Sequence, residues 1–218
     1  MKTPKVKTIL TLLCSTLLLL NPLLATASTE LVSDYISISR EDCSNPTANG
    51  KDVQLDCKTY HQTKDNTCGP SAVMTLMRYY GRLKEGDMVP NTELRIAMEM
   101  GATEEGTSES QITEWLTNHG FTVSSGNGIS AQQIIENLKQ RIPTLIAVNH
   151  HWILSKGYTK GATPMEDEIF FSDSCCGMTQ ISAKSIHEMW EIIQLPKHHC
   201  IDNKGEYIVA LPNTAVTK

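Results

Sequence analysis

Cys68, His151, Asp173 and Gln62 are residue types that could together break an acyl bond. A thiolate attacks a carbonyl carbon, an imidazole moves the proton, and a carboxylate holds the imidazole in the useful tautomer. A side-chain amide, paired with a backbone N–H, steadies the oxyanion that forms on attack. Each residue also has an ordinary reading. Cysteine is a small residue often found in cores, histidine can sit half-buried in a strand, aspartate forms turns, and glutamine is common in loops. What favours chemistry is that three separate segments supply the parts, each in a suitable local setting.

The first segment, Gln62 to Gly81, reads Gln-Thr-Lys-Asp-Asn-Thr-Cys-Gly-Pro-Ser-Ala-Val-Met-Thr-Leu-Met-Arg-Tyr-Tyr-Gly. Polar turn formers run up to Cys68, and Pro70 stands where a first helical residue would sit. Ala72, Val73, Leu76, Met77 and Tyr80 then recur at helical spacing, and Gly81 suits a left-handed cap. This puts Cys68 at the N-terminus of a buried helix, where unpaired N–H groups and the macrodipole favour a thiolate. His151-Trp-Ile-Leu-Ser-Lys-Gly-Tyr is a histidine opening a strand, and Ile169-Phe-Phe-Ser-Asp173 is a strand ending in a carboxylate. Neighbouring strand residues face opposite ways, so only one of His150 and His151 can face Cys68, and His151 is the expected one. Gln62, six residues before the cysteine, would share the oxyanion with the backbone N–H of Cys68. Cysteine first, then histidine, then an acid is the chain order of papain-like thiol enzymes.

The elements that must position these residues follow from periodicity and turn signals. Helices are predicted over Pro70 to Tyr80 and Asn91 to Met100, the latter with Leu94, Ile96, Ala97 and Met100 inward. A third starts at Thr107-Ser108 with Ile112, Trp115 and Leu116 as its apolar face. Ser130 caps a fourth with Gln133 three residues on, a capping-box pattern. Strands are predicted at Tyr35 to Ser39, Phe121 to Val123, Pro143 to Asn149, Trp152 to Tyr158, Ile169 to Ser172 and Tyr207 to Leu211, with a last helix over Ala183 to Ile193. Gly101 to Gly106 reads as an acidic loop and Gly126 to Gly128 as another loop. Helices first and an antiparallel sheet second make the fold class α+β.

Residues 1–27 carry the layout of a secretory signal peptide: Lys2, Lys5 and Lys7, an apolar run from Ile9 to Leu20, Pro22, then Ala25-Thr26-Ala27. The apolar run is too short for a stable span. Cleavage is expected near Ser28, leaving residues 28–218 as one domain, exported to the periplasm or beyond, with no membrane anchor. Removing those three lysines from 19 basic residues, with all 24 acidic ones kept, leaves a net charge near −8. No basic patch stands out, so nucleic acid is excluded as an expected partner. Export permits disulfides. Cys43 is expected to pair with Cys57, and Cys200 with Cys175 or Cys176; a vicinal Cys175–Cys176 bond is the strained alternative.

A resemblance extends this reading. Gln62 with Asp65-Asn-Thr-Cys-Gly-Pro-Ser-Ala and Arg78-Tyr-Tyr-Gly81 resembles the double-glycine (bacteriocin-processing) peptidases, a papain-like cysteine peptidase family. Gly106-Thr-Ser ahead of a helix, Gly120, Ile142-Pro-Thr-Leu-Ile-Ala-Val and the His151 strand are similar as well. The match runs from Gln62 to Asp173, and no transporter part accompanies it. The resemblance implies a papain-like fold, N-terminal helices on a C-terminal antiparallel β-sheet, and a peptide or protein substrate. It implies Cys68 as nucleophile, His151 as base, Asp173 as orienting acid and Gln62 at the oxyanion; no cofactor and no metal are expected, since disulfides are the use expected of the remaining cysteines in an exported chain. The family has proline after the acid, where this chain has Ser174. Two other functions remain open: an acyltransferase or amidase using the same thioester, and a non-catalytic binding protein with Cys175, Cys176, His198, His199 and Cys200 as metal ligands.

Overall fold

The computed structural model describes residues 50–148, 150–193 and 205–213. The signal peptide, the domain start at 28, the strand at Tyr35 to Ser39, and Cys43, His198, His199 and Cys200 lie outside the described residues.

Apolar, β-branched segments in the second half fold back on one another in sequence. Strands β3 (Thr144–Val148), β4 (His151–Thr159), β5 (Glu168–Asp173) and β6 (Gly177–Ser182) pair antiparallel one after the next. Strand β7 (Glu206–Pro212) returns along the other edge of β3, and β2 (Phe121–Asn127) pairs with β7. The order is β2-β7-β3-β4-β5-β6. Strand β1 (Val53–Gln54) pairs with β4 at Tyr158 and Gly157, past the end of β3. β3 is buried at every position, so both of its faces are covered.

Helices α1 (Cys68–Tyr79), α2 (Pro90–Met100), α3 (Glu109–Asn118), α4 (Ala131–Lys139) and α5 (Ala183–Ile193) accompany this sheet, and α2 packs on α1 and α3. α1 lies against β4 and β5, and α3 against β2. The α+β class with an antiparallel sheet is as expected. Ser108 and Ser130 cap α3 and α4 by accepting from Gln111 and Gln133 backbone N–H groups, and Gly81 adopts φ +70° after α1.

Four local expectations are corrected. α1 begins at Cys68, so Pro70 is its third residue; first-turn N–H groups have no intrahelical partner, and proline there loses nothing. His150 is not a strand residue: it sits in the β3–β4 turn with φ 58°, and β4 opens at His151. Residues 126 and 127 are strand, because Gly126 pairs with Tyr207 and Asn127 with Glu206. Leu94 is only half-buried, and Glu93 takes the inward position of α2.

Glu93 has no exposed surface and, among the described residues, no cationic partner, yet it ties three elements together. Its Oε1 accepts from the Thr63 N–H at 2.9 Å and from Ser71 Oγ at 3.0 Å. Its Oε2 accepts from Thr63 Oγ1 at 2.7 Å and Tyr60 Oη at 3.2 Å. Four donors offset what a bare buried charge would cost. The result joins α2 and α1 to the chain just before Cys68. Glu93→Ala should therefore lower the unfolding free energy by about 3 kcal/mol, since several buried donors lose their acceptor. The check is a urea titration in which the midpoint falls and the slope stays constant; an unchanged midpoint would show that water replaces the carboxylate.

Candidate active site

Cys68 is the first residue of α1, and its cap residue Thr67 makes no side-chain bond to the helix N-terminus. No cap side chain therefore competes with the sulfur for the helix N-terminus. The backbone of Gly69, and that of Trp152 on β4, hydrogen-bonds the thiol. Gly69 leaves little room for a side chain. A Cβ there would stand 3.1 Å from Thr107 Cβ and 3.2 Å from Ile112 Cδ1, inside normal contact. The Trp152 indole N–H donates to the Thr107 carbonyl at 2.9 Å, fastening β4 to the same corner.

His151 and Asp173 meet through strand register. Asp173 lies opposite Ile153 on the neighbouring strand, and Ile153 shares a face with His151. His151 Nε2 lies 2.8 Å from Asp173 Oδ1. The other side of the ring hydrogen-bonds Cys68, and with Nε2 given to the carboxylate, Nδ1 is the nitrogen that faces the thiol. The structure thus brings Cys68, His151 and Asp173 into one hydrogen-bonded chain, while His150 is exposed on its turn.

The charges on this chain are mutually dependent. Burial alone would push the Cys68 thiol up, but the His151 hydrogen bond and charge, with the two backbone contacts, bring it below its ordinary value. Burial would likewise pull the His151 imidazole down. Its bonds to Asp173 and Cys68, and their charges, outweigh that and raise it to about 10. Burial opposes ionisation of Asp173 as well, and the bonds from His151, Thr179 and the Cys175 backbone hold it at about 2. Such an arrangement favours thiolate and imidazolium across neutral pH.

The carboxylate has supports that the sequence did not reveal. Its Oδ1 also accepts from the backbone N–H groups of Cys175 at 2.9 Å and Cys176 at 3.3 Å, and its Oδ2 accepts from Thr179 Oγ1. Thr179 lies on β6, a strand with no clear alternation, so nothing in the sequence singled it out. Gln62 is close by, tied to the acid's loop: its backbone N–H donates to the Ser174 carbonyl at 3.0 Å. Its Nε2 donates to the carbonyls of Lys64 at 2.8 Å and Asp65 at 3.3 Å. The expected Cys43–Cys57 bridge is not present at its Cys57 end. Cys57 is a free thiol packed in the core, raised to about 12 by burial. Cys175 is a free, exposed thiol.

The model of the Peptidase_C39 like family matches residues 54–194, which include all four expected site residues. The chain belongs to this family. Solved structures share the fold of this C39-like cysteine peptidase. One is a double glycine motif protease from an AMS/PCAT transporter in complex with the leader peptide; it has TM-score 0.52 and 15% identity, over 76% of this chain and 98% of that one. The peptidase domain of Streptococcus ComA, a bi-functional ABC transporter, has TM-score 0.51 and 14% identity, over 72% and 98%. A putative C39-like peptidase from Bacillus anthracis has TM-score 0.51 and 10% identity, over 74% and 98%. No curated protein matches the chain.

Two pH dependences follow for this peptidase. Alkylation of Cys68 by iodoacetamide should titrate below the ordinary thiol value of about 8.5, and His151→Ala should move the profile upward. Rates from mass spectrometry across pH check this; a profile unmoved by the substitution would rule out the imidazole as the cause. For stability, the lowered Asp173 contributes fully above its unfolded value near 4, and the raised His151 below its unfolded value near 6.5. Their joint contribution is complete between those limits. It declines as pH falls toward about 2 or rises toward about 10.

Proposed function

We propose that this cysteine peptidase is exported and hydrolyses peptide bonds through a thioester on Cys68, with His151 and Asp173 completing the triad. The observation that carries the reading is the hydrogen-bonded chain from Cys68 through His151 to Asp173. The thiolate attacks the scissile carbonyl carbon and its electron pair forms the C–S bond. The carbonyl oxygen becomes an oxyanion held by the Cys68 N–H and a Gln62 Nε2 hydrogen. His151 passes its proton to the departing amine, leaving a thioester. It then takes a proton from water, whose oxygen attacks the thioester and releases the acid and the thiolate. The leader peptide bound by the double-glycine protease supports a peptide as the substrate.

The deciding experiment is incubation of the purified enzyme with peptide libraries, read by mass spectrometry. Hydrolysed fragments support the reading, and a new amide bond with an added amine would replace it with acyl transfer. Within that assay, His151→Ala should lose roughly 10²-fold or more in rate. His150→Ala, on the turn, should keep most of its rate. The reverse result would assign the base to the wrong histidine.

A disulfide from Cys176 to Cys200 is part of the proposal; Cys175, the other candidate in the loop, is a free thiol. Backbone N–H groups of this loop hold the Asp173 carboxylate, so anchoring the loop limits how far the acid drifts. Small misplacements of catalytic groups can cost about 10²-fold. Mild reductant is therefore expected to lower activity, although Cys68 must itself stay reduced. Activity that rises while peptide mapping shows the bridge opening would remove the tether from the mechanism.

A further inference from the structure

We infer that Ser174 is a positioning residue that orients the Gln62 amide, so the loop carrying the acid also aims the oxyanion donor. The inference rests on the oxyanion role proposed for Gln62. Ser174 is 4% exposed, and its Oγ donates to Gln62 Oε1 at 2.7 Å. Its carbonyl accepts from the Gln62 backbone N–H at 3.0 Å. One residue thus grips both the backbone and the side chain of Gln62.

The partners decide which end of the amide is which. A carbonyl oxygen needs a donor, and of the two ends of the amide only the nitrogen donates, so the end near the Lys64 and Asp65 carbonyls is Nε2. The other end is the oxygen, and the Ser174 hydroxyl supplies the proton it needs. Nε2 carries two hydrogens. The two carbonyls, at 2.8 and 3.3 Å, can share one, leaving the second for a substrate oxyanion. Without the hydroxyl, the oxygen end loses this bond and the amide is free to swing about the Nε2 contacts. The backbone bond between residues 62 and 174 would remain, so the loops stay joined while the donor loses its aim.

The test uses the peptide cleaved fastest in the library assay, with four variants: Ser174→Ala, Ser174→Thr, Gln62→Ala and the Ser174→Ala/Gln62→Ala double. Ser174→Ala should lower kcat by about 10- to 100-fold with little change in KM, and Ser174→Thr, which keeps the hydroxyl, should recover most of it. In the Gln62→Ala background, Ser174→Ala should add nothing, because the two act through one interaction. Alkylation of Cys68 needs no oxyanion site, so its pH profile should stay where the parent's lies. Ser174→Gly repeats the comparison should the alanine variant not fold. A parental kcat in Ser174→Ala, or losses that multiply in the double variant, overturns the inference and leaves the Gln62 reading standing. A shifted alkylation profile overturns it too, since Ser174 would then be acting through Asp173. A parental kcat in Gln62→Ala is a different failure: the oxyanion reading falls, and this inference with it.

Discussion

Cys68 and His151 face each other where burial, acting alone, would drive each toward its neutral form. A thiolate and an imidazolium survive there only if other groups repay the lost hydration. The repayment comes from different parts of the chain. The Gly69 backbone at the α1 N-terminus and the Trp152 backbone on β4 bond the sulfur, and the Asp173 carboxylate faces the far nitrogen of the ring. The same demand recurs one step out, because Asp173 is itself buried. It takes donors from the Cys175 and Cys176 backbone and from Thr179. Each charge thus calls for a further set of dipoles, and the fold arranges them in layers around one small volume.

Strand β4 is the element on which these layers converge. It opens at His151 immediately after the tight turn, supplies the Trp152 contact to the sulfur, and pairs with the strand that ends in Asp173. Helix α1 packs directly against it. A sheet is well suited to this work. Ladder hydrogen bonds fix register to a single residue, and a slip by one would turn His151 to the opposite face. The loop before α1 has no ladder to hold it. It is held instead by Glu93 from one side and Ser174 from the other. A buried carboxylate with four donors and a buried hydroxyl on an amide do for this loop what register does for the strands.

Membership of the C39-like family and a fold shared with peptidase domains of low identity set the frame in which this chain's own contacts lie. The antiparallel sheet and the helices that go with it belong to the shared fold. The Ser174 contact with Gln62 and the Cys175-Cys176 pair in the acid's loop are features of this sequence. Both lie on the β5–β6 turn, beside the Asp173 carboxylate.

The sequence by itself determined the parts that depend on local physics. Helical spacing and a terminal glycine disclosed α1, and with it the setting of Cys68. Serine caps located the starts of α3 and α4. Apolar, β-branched runs marked the strands that carry His151 and Asp173. Tertiary structure decided what local signals do not encode. Pro70 could mark a helix start only to within a turn, because every first-turn position tolerates proline. β6 exists because β5 offers it an edge, so Thr179 was invisible until that pairing formed. The partner of His151 rests on a register across 22 residues of chain, and Glu93, which no local signal singled out, is buried by the loop and helices around it. Residue type and spacing name the groups able to react; burial and register, which depend on contacts distant in sequence, decide which of them meet and which are charged.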